Sequence, residues 1–270
     1  MNFIKISKQI RSLILNMIYN SKSGHIGGSF SCVDILVSLY YGKNIKFNPK
    51  KPNFKDRDRL IVSKGHASAA LYSVLSSLGY FNKKELNKYC KNNTRLATHL
   101  NKAVPGVEFD TGSLGHGLGV GCGIAYSAKL DKKKYKVFVL ISDGELYEGS
   151  TWEALIFANN HKLNNLVLIV DRNKQIVMDK TEECMVLNPV QEKFKSFGFK
   201  TISTDGHSIK KLNKIFKKIK NSKTLNPTVV IANTIKGKGV SFMEGNVKWH
   251  HSVPNLQEFK KAKQELKNEN

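Results

Sequence analysis

The chain has 270 residues, enough for one large domain with a substantial core, and a formal charge of +23 from 44 Lys and Arg against 21 Asp and Glu. No apolar run is long enough to cross a bilayer. The start, Met1 to Tyr19, carries Lys5, Lys8 and Arg11 but lacks the unbroken apolar stretch and small-residue cleavage site of a signal peptide. A basic nucleic-acid-binding protein is kept as an alternative, but only five of the basic residues are Arg, and the Lys are scattered among helix-spaced apolar residues, which points to composition bias rather than fork-shaped phosphate or base recognition.

In chain order, Ile6 to Ile18 reads as an amphipathic helix with Ile6, Ile10, Leu13 and Met17 along one face. Ser21 to Gly28 reads as a glycine-rich loop, and Ser31-Cys-Val-Asp34 as a capping box opening the next helix. A polar connection containing Pro49 and Pro52 leads to a strand, Leu60-Ile61-Val62, followed by Ser63-Lys64-Gly65-His66. Ala67 to Leu78 is a helix stopped by Gly79, and Lys83 to Cys90 a short polar helix. Thr98-His99-Leu100 lies in an irregular stretch. Gly115, Gly117, Gly119, Gly121 and Gly123 alternate through a helical segment, so a neighbour is expected packed close against them.

Val137 to Ile141 is a continuous apolar run, the pattern of a strand buried on both faces, and it stops at the turn pair Asp143-Gly144. A helix starts at Gly149, with Trp152, Leu155, Ile156 and Ala158 on one side. A second buried strand, Leu166 to Val170, delivers Asp171-Arg172-Asn173. Lys174 to Asn188 reads as a long loop, and Pro189 to Phe197 as a helix ended by Gly198. Thr201 to Thr204 is a strand into Asp205-Gly206-His207. Leu212, Ile215, Phe216 and Ile219 mark a surface helix. Thr228 to Ala232 is the last core strand, leading to Ile235-Lys236-Gly237-Lys238-Gly239 and then Trp249-His250-His251. Strands alternating with helices predict a single α/β domain over residues 1–270: a three-layer, doubly wound parallel sheet with helices on both faces. Cys32, Cys90, Cys122 and Cys184 show no paired spacing, which argues against zinc or a redox dithiol and for reduced thiols of a cytoplasmic protein.

The chemistry gathers at strand ends. Asp143 and Asn173 sit just past two strands of one strand-helix-strand unit, the edge where open parallel sheets bind ligands. Two oxygen ligands, a glycine and a helix N-terminus suit Mg2+ carrying a diphosphate. His25, His66, His99, His116 and His250 also fall in polar or glycine-rich segments at element ends, whereas His161 and His207 read as ordinary solvated residues.

Taken together, Ser23-Gly-His25-Ile-Gly-Gly28, Ser63-Lys-Gly-His66, Asp110-Thr-Gly-Ser-Leu-Gly115, Asp143-Gly-Glu145 through Glu148-Gly149, Val170-Asp-Arg-Asn173, Lys236-Gly-Lys-Gly239 and Trp249-His250 resemble transketolase. The match runs over nearly the whole chain, in the family's order. It implies the thiamine diphosphate-binding fold, and specifically the N-terminal, diphosphate-binding part, since single-chain members continue into further domains where this chain ends. By that resemblance the side-chain oxygens of Asp143 and Asn173 and the backbone carbonyl of Gln175 would hold Mg2+. His66, His250, Lys236 and the Gly144 amide would face the diphosphate, and Gly112, Ser113 and Leu114 would line the thiamine. His25, His99 and His250 would act on the substrate, and Glu148 would lie at the partner interface. The partner implied is a C-terminal subunit carrying the pyrimidine-binding domain, two copies of each chain. Sugar phosphates of the pentose phosphate pathway are the implied substrates.

Three positions depart from the family's pattern: Ser142 for Gly, Gly28 for a small polar residue, and His251 for Gly after Trp-His. They leave open a degenerate, non-catalytic chain. The alternative enzyme reading is the N-terminal part of a 1-deoxyxylulose 5-phosphate synthase.

Overall fold

A computed structural model describes residues 1–267. The elements run α1 (Phe3–Ser21), α2 (Ile26–Ser31), α3 (Val33–Tyr40), β1 (Arg59–Val62), α4 (Ser68–Ser77), α5 (His116–Leu130), β2 (Val137–Ser142), α6 (Gly149–Asn160), β3 (Leu166–Arg172), α7 (Thr181–Cys184), α8 (Val190–Ser196), β4 (Lys200–Asp205), α9 (Ile209–Lys220), β5 (Thr228–Asn233) and α10 (Leu256–Lys267). The strands form one sheet in the order β1-β2-β3-β5-β4, and every pair is parallel.

Strand alternation divides the core in two. Leu60, Val62, Phe138, Leu140, Val167 and Ile169 face α1, α3, α4 and α9, while Ile61, Val137, Val139, Leu166, Leu168 and Val170 face α5, α6 and α8. Both faces are covered, which is why β2 and β3 read as unbroken apolar runs. Each wholly buried Leu or Ile contributes about 1.5–3 kcal/mol. The chain moves outward from β3 to β4 with α8 on one face, then returns to β5 with α9 on the other. Right-handed crossovers require that change of face when the direction of winding reverses.

Several local expectations are corrected. The segment from Ile26 through Gly28 is not loop but the start of α2. Ser31 and Asp34 do not form a capping box: α3 has no side-chain cap, Ser31 Oγ donates to Gly28 O at 3.1 Å and Asp171 Oδ2 at 2.6 Å, and Asp34 pairs with Arg11. Long-range partners override the local cap. The Lys174 to Asn188 loop contains the single turn α7, and Lys83 to Lys88 is a 3-10 turn. Helix α10 has no counterpart among the elements expected from sequence, because its apolar residues are few among lysines.

The glycine expectation holds in part. A Cβ on Gly117 would lie 2.3 Å from Ser63 Oγ, and one on Gly121 would lie 2.4 Å from Val139 Cγ2, so α5 packs directly on the sheet there. Gly119 and Gly123 face open space.

Candidate active site

The loops after β1, β2, β3 and β5 meet at one edge of the sheet. They enclose a cavity of about 200 Å³ whose walls include His66, Leu114, Gly144, Asn173, Gln175, Lys236 and His250. Larger hollows exist elsewhere on the surface, but here the predicted residues converge. Gly112 and Ser113 lie on the adjoining loop, where a Cβ at Gly112 would sit 3.1 Å from His99.

His25 is the hub of a histidine cluster. Its ring centroid is 5.4 Å from His66, 5.8 Å from His99, 5.5 Å from His250 and 4.5 Å from His251. The structure does not bring His116 into this group; it is exposed at the start of α5 and turns back on Leu114 O at 2.9 Å. His25 Nδ1 is buried without a hydrogen-bond partner among the described residues. Burial, then the neighbouring His251 and His99, push His25 down to about 4; burial and Lys236 push His250 down to about 3. Burial and Lys64 hold His66 well below the usual range. All three rings are therefore neutral near pH 7, each with one donor and one acceptor nitrogen.

Lys236 Nζ donates to Ile176 O at 2.8 Å and lies 2.8 Å from His250 Nδ1. Burial, then Lys64, bring it down to about 8, so it keeps its charge for most molecules at neutral pH. Asp143 is wholly buried. Its Oδ2 accepts from Arg172 Nη1 at 3.1 Å and from the Lys174 amide, while Oδ1 has no partner among the described residues. Asn173 Oδ1 accepts from the Gln175 amide at 3.1 Å. Gln175 Nε2 donates to Gly245 O at 2.5 Å, leaving Oε1 unpartnered. Burial raises Asp143 to about 7 despite Arg172. A buried carboxylate oxygen with no donor facing it is a costly arrangement unless a cation completes it.

Below the cavity lies a layer to which sequence reasoning assigns no role. Lys64 and Asp171 form a wholly buried ion pair; Lys64 Nζ also donates to Gly28 O at 2.9 Å, and Asp171 accepts from Ser31 and Thr234. Glu145, also buried, accepts from the Gly115 amide at 3.1 Å, the Ser142 amide at 3.0 Å and the Ser63 hydroxyl. It ties three loops of the site together. Their positions inside family-like motifs are the available signal, but an isolated Lys or Glu does not announce burial. His207 is corrected as well: it is not a solvated residue but bridges Asp34 and the Ile235 amide.

The departures gain physical reasons. A side chain at Gly28 would meet the His66 ring at 3.3 Å, so the loss of a side chain there makes room for the imidazole. His251 packs on His25 at the mouth of the cluster. Ser142 lines the cavity and donates its amide to Glu145. Glu148 is exposed at the N-terminus of α6.

Arg11, Arg57, Arg59, Arg95 and Arg172 are each paired to a carboxylate within the chain.

A family model described as transketolase, thiamine diphosphate binding domain, matches residues 4–269. An apulose-4-phosphate transketolase subunit of Phocaeicola vulgatus is 39% identical over 260 residues, which is 96% of this chain and 92% of the relative. The 6-deoxy-6-sulfo-D-fructose transketolase subunit SqwG of Clostridium sp. is 35% identical over 96% of this chain and 94% of its own length. Human transketolase is 37% identical over 229 residues, 84% of this chain but 36% of its own length. The crystal structure of transketolase from Campylobacter jejuni superposes with a TM-score of 0.92 at 32% identity, covering 98% of this chain and 43% of that one. The chain thus spans less than half of these longer transketolases and nearly all of the relatives named as subunits. These relatives favour the transketolase reading over the 1-deoxyxylulose 5-phosphate synthase one. From residue 4 to residue 269 the chain belongs to the transketolase family, in its thiamine diphosphate-binding domain.

Proposed function

We propose that the chain is the N-terminal subunit of a transketolase, which binds thiamine diphosphate through Mg2+ and moves a two-carbon ketol unit from a ketose phosphate to an aldose phosphate. The observation that carries this is the unpartnered Asp143 Oδ1, buried at the same sheet edge as the histidine cluster and Lys236. Asp143, the Asn173 amide oxygen and the Gln175 backbone carbonyl would make an all-oxygen donor set, the kind a hard cation takes.

When bound, the cofactor supplies the electron sink for breaking a ketose carbon–carbon bond. The chain's own residues do the rest. His66, His250 and the Gly144 amide donate to the diphosphate, and Lys236 adds charge. Gly112, Ser113 and Leu114 line the thiamine. His25 and His99 hold the ketol end, with His250 beside them. His25, neutral and with Nδ1 free, takes and returns a proton at the substrate hydroxyl.

A C-terminal chain with the pyrimidine-binding domain completes the site, two copies of each chain, with Glu148 at the contact. The relatives named as subunits support the need for a partner chain. Their names also support a donor that is a phosphorylated or sulfonated ketose. We place the reaction among pentose phosphate conversions in the cytoplasm.

The test is reconstitution. The purified chain alone should bind cofactor weakly and turn over nothing, and mixing with a pyrimidine-domain chain should give ketol transfer that requires Mg2+ and thiamine diphosphate. Robust transfer by the chain alone would refute the split arrangement.

A further inference from the structure

The turn from β4 into α9 carries a side-chain network that the cofactor site does not touch directly. Asp34, on α3, accepts from Arg11 Nη2 at 2.7 Å and Nη1 at 3.3 Å, and Arg11 Nη2 also donates to Phe30 O at 3.1 Å. His207 Nδ1 lies 2.7 Å from Asp34 Oδ2, and the Ile235 amide donates to His207 Nε2 at 2.8 Å. An amide N–H only donates and a carboxylate only accepts. One arrangement satisfies both contacts: Nδ1 carries the proton and Nε2 is bare. Burial works against charge on Asp34, but Arg11 and His207 hold it far below the usual carboxylate range, so it stays an acceptor.

Ile235 is where β5 has ended and the chain turns into the site. The Thr234 amide donates to Arg172 O at 3.0 Å and the Gly237 amide to Gly27 O at 3.1 Å. Between them, the Ile235 amide is held by a side chain instead. The next residue is Lys236, whose Nζ reaches Ile176 O and His250.

We propose that His207 is a positioning residue: the buried Arg11–Asp34 pair fixes its tautomer, its bare Nε2 fixes the Ile235 amide, and that amide fixes where Lys236 enters the cavity. The consequence for ligand binding rests on reading Lys236 as a diphosphate contact. The same logic governs the outer partners of metal-holding histidines, whose loss weakens the site although they touch no ligand.

The first measurement needs no cofactor. Proton–nitrogen correlation spectra of the histidine side chains in the full chain should show His207 protonated at Nδ1 and bare at Nε2. Amide exchange at Ile235 should be slow in the wild type, about tenfold faster or more in His207→Phe, and partly slowed again in His207→Gln, whose amide oxygen can take the Nε2 role. An Nε2-protonated or doubly protonated His207, or unchanged exchange at Ile235 in His207→Phe, overturns the proposal. If His207→Phe does not fold, the wild-type tautomer and the exchange in His207→Gln decide it. The second measurement titrates Mg2+ with thiamine diphosphate into the assembled two-chain enzyme. Affinity should fall by about tenfold in His207→Phe and recover in part in His207→Gln. Equal cofactor affinity in His207→Phe overturns the link to Lys236. A wild-type enzyme that binds no cofactor sinks the cofactor reading itself, and the tautomer result then stands or falls separately.

Discussion

Lys64→Met removes one half of the ion pair beneath the cavity. Both side chains are 0% exposed. Burial opposes charge on each, yet their attraction prevails: Asp171 is held below its usual range and Lys64 above. Met keeps the stem and deletes the ammonium. Asp171 then retains the Ser31 and Thr234 hydroxyls, and Gly28 O loses its 2.9 Å donor. Stranding one partner of a buried pair costs about 3–5 kcal/mol. At roughly 2–4 °C per kcal/mol for a chain of this size, the Tm should fall by about 6–20 °C. Asp171→Asn in the same background removes the stranded charge, so the double variant should be more stable than the sum of the single changes by about 1–3 kcal/mol. The assay is urea and thermal unfolding of the purified chain, single and double variants together. The pH dependence has a definite sign. The Asp171 carboxyl is depressed in the folded state, so its contribution is complete above the unfolded value near 3.9 and is lost only as pH falls through the folded one. Wild type and variant should therefore differ fully at pH 7 and converge only in strong acid. A single variant within about 1 kcal/mol of wild type, or strict additivity in the double, would refute the reasoning.

The other predictions are narrower. Asp143→Asn keeps the shape but removes the charge of the unpartnered Oδ1, so stabilisation of the chain by Mg2+ with thiamine diphosphate, read as a shift in Tm, should disappear. Gly117→Ala drives a methyl to 2.3 Å from Ser63 Oγ and 2.9 Å from its Cα, and should cost about 1–3 kcal/mol. Gly119→Ala meets nothing within 4 Å on the same helix and should stabilise by roughly 0.5–1 kcal/mol, so the same assay ought to give opposite signs at the two positions. His25 and His250 are depressed to about 4 and about 3 and return to 6.5 on unfolding, so the unfolded chain takes protons first. In an Asp143→Asn background, which removes the opposing gain from its raised carboxyl, stability should decline as pH falls from 6.5 toward 4, by on the order of 1 kcal/mol per histidine after solvent screening is allowed for. Urea midpoints that stay flat across that range would count against the buried neutral rings.

The fold class, the strands and the order of the site loops are legible in local sequence. Apolar runs such as Val137 to Ile141, and turn pairs such as Asp143-Gly144, are local signals, and burying a parallel sheet on both faces leaves them little alternative. The family resemblance marked His25, His66, His99, His250, Asp143, Asn173 and Lys236, which lie at the sheet edge. What stands beneath them comes from long-range packing. Ser31 bonds Asp171 across 140 residues of sequence, and Lys64 reaches the same carboxylate across 107. A capping box and a solvated histidine were reasonable local readings of Ser31, Asp34 and His207. They gave way because a buried carboxylate must be neutralised by whatever donor the fold brings within reach, and spacing along the chain carries no record of that.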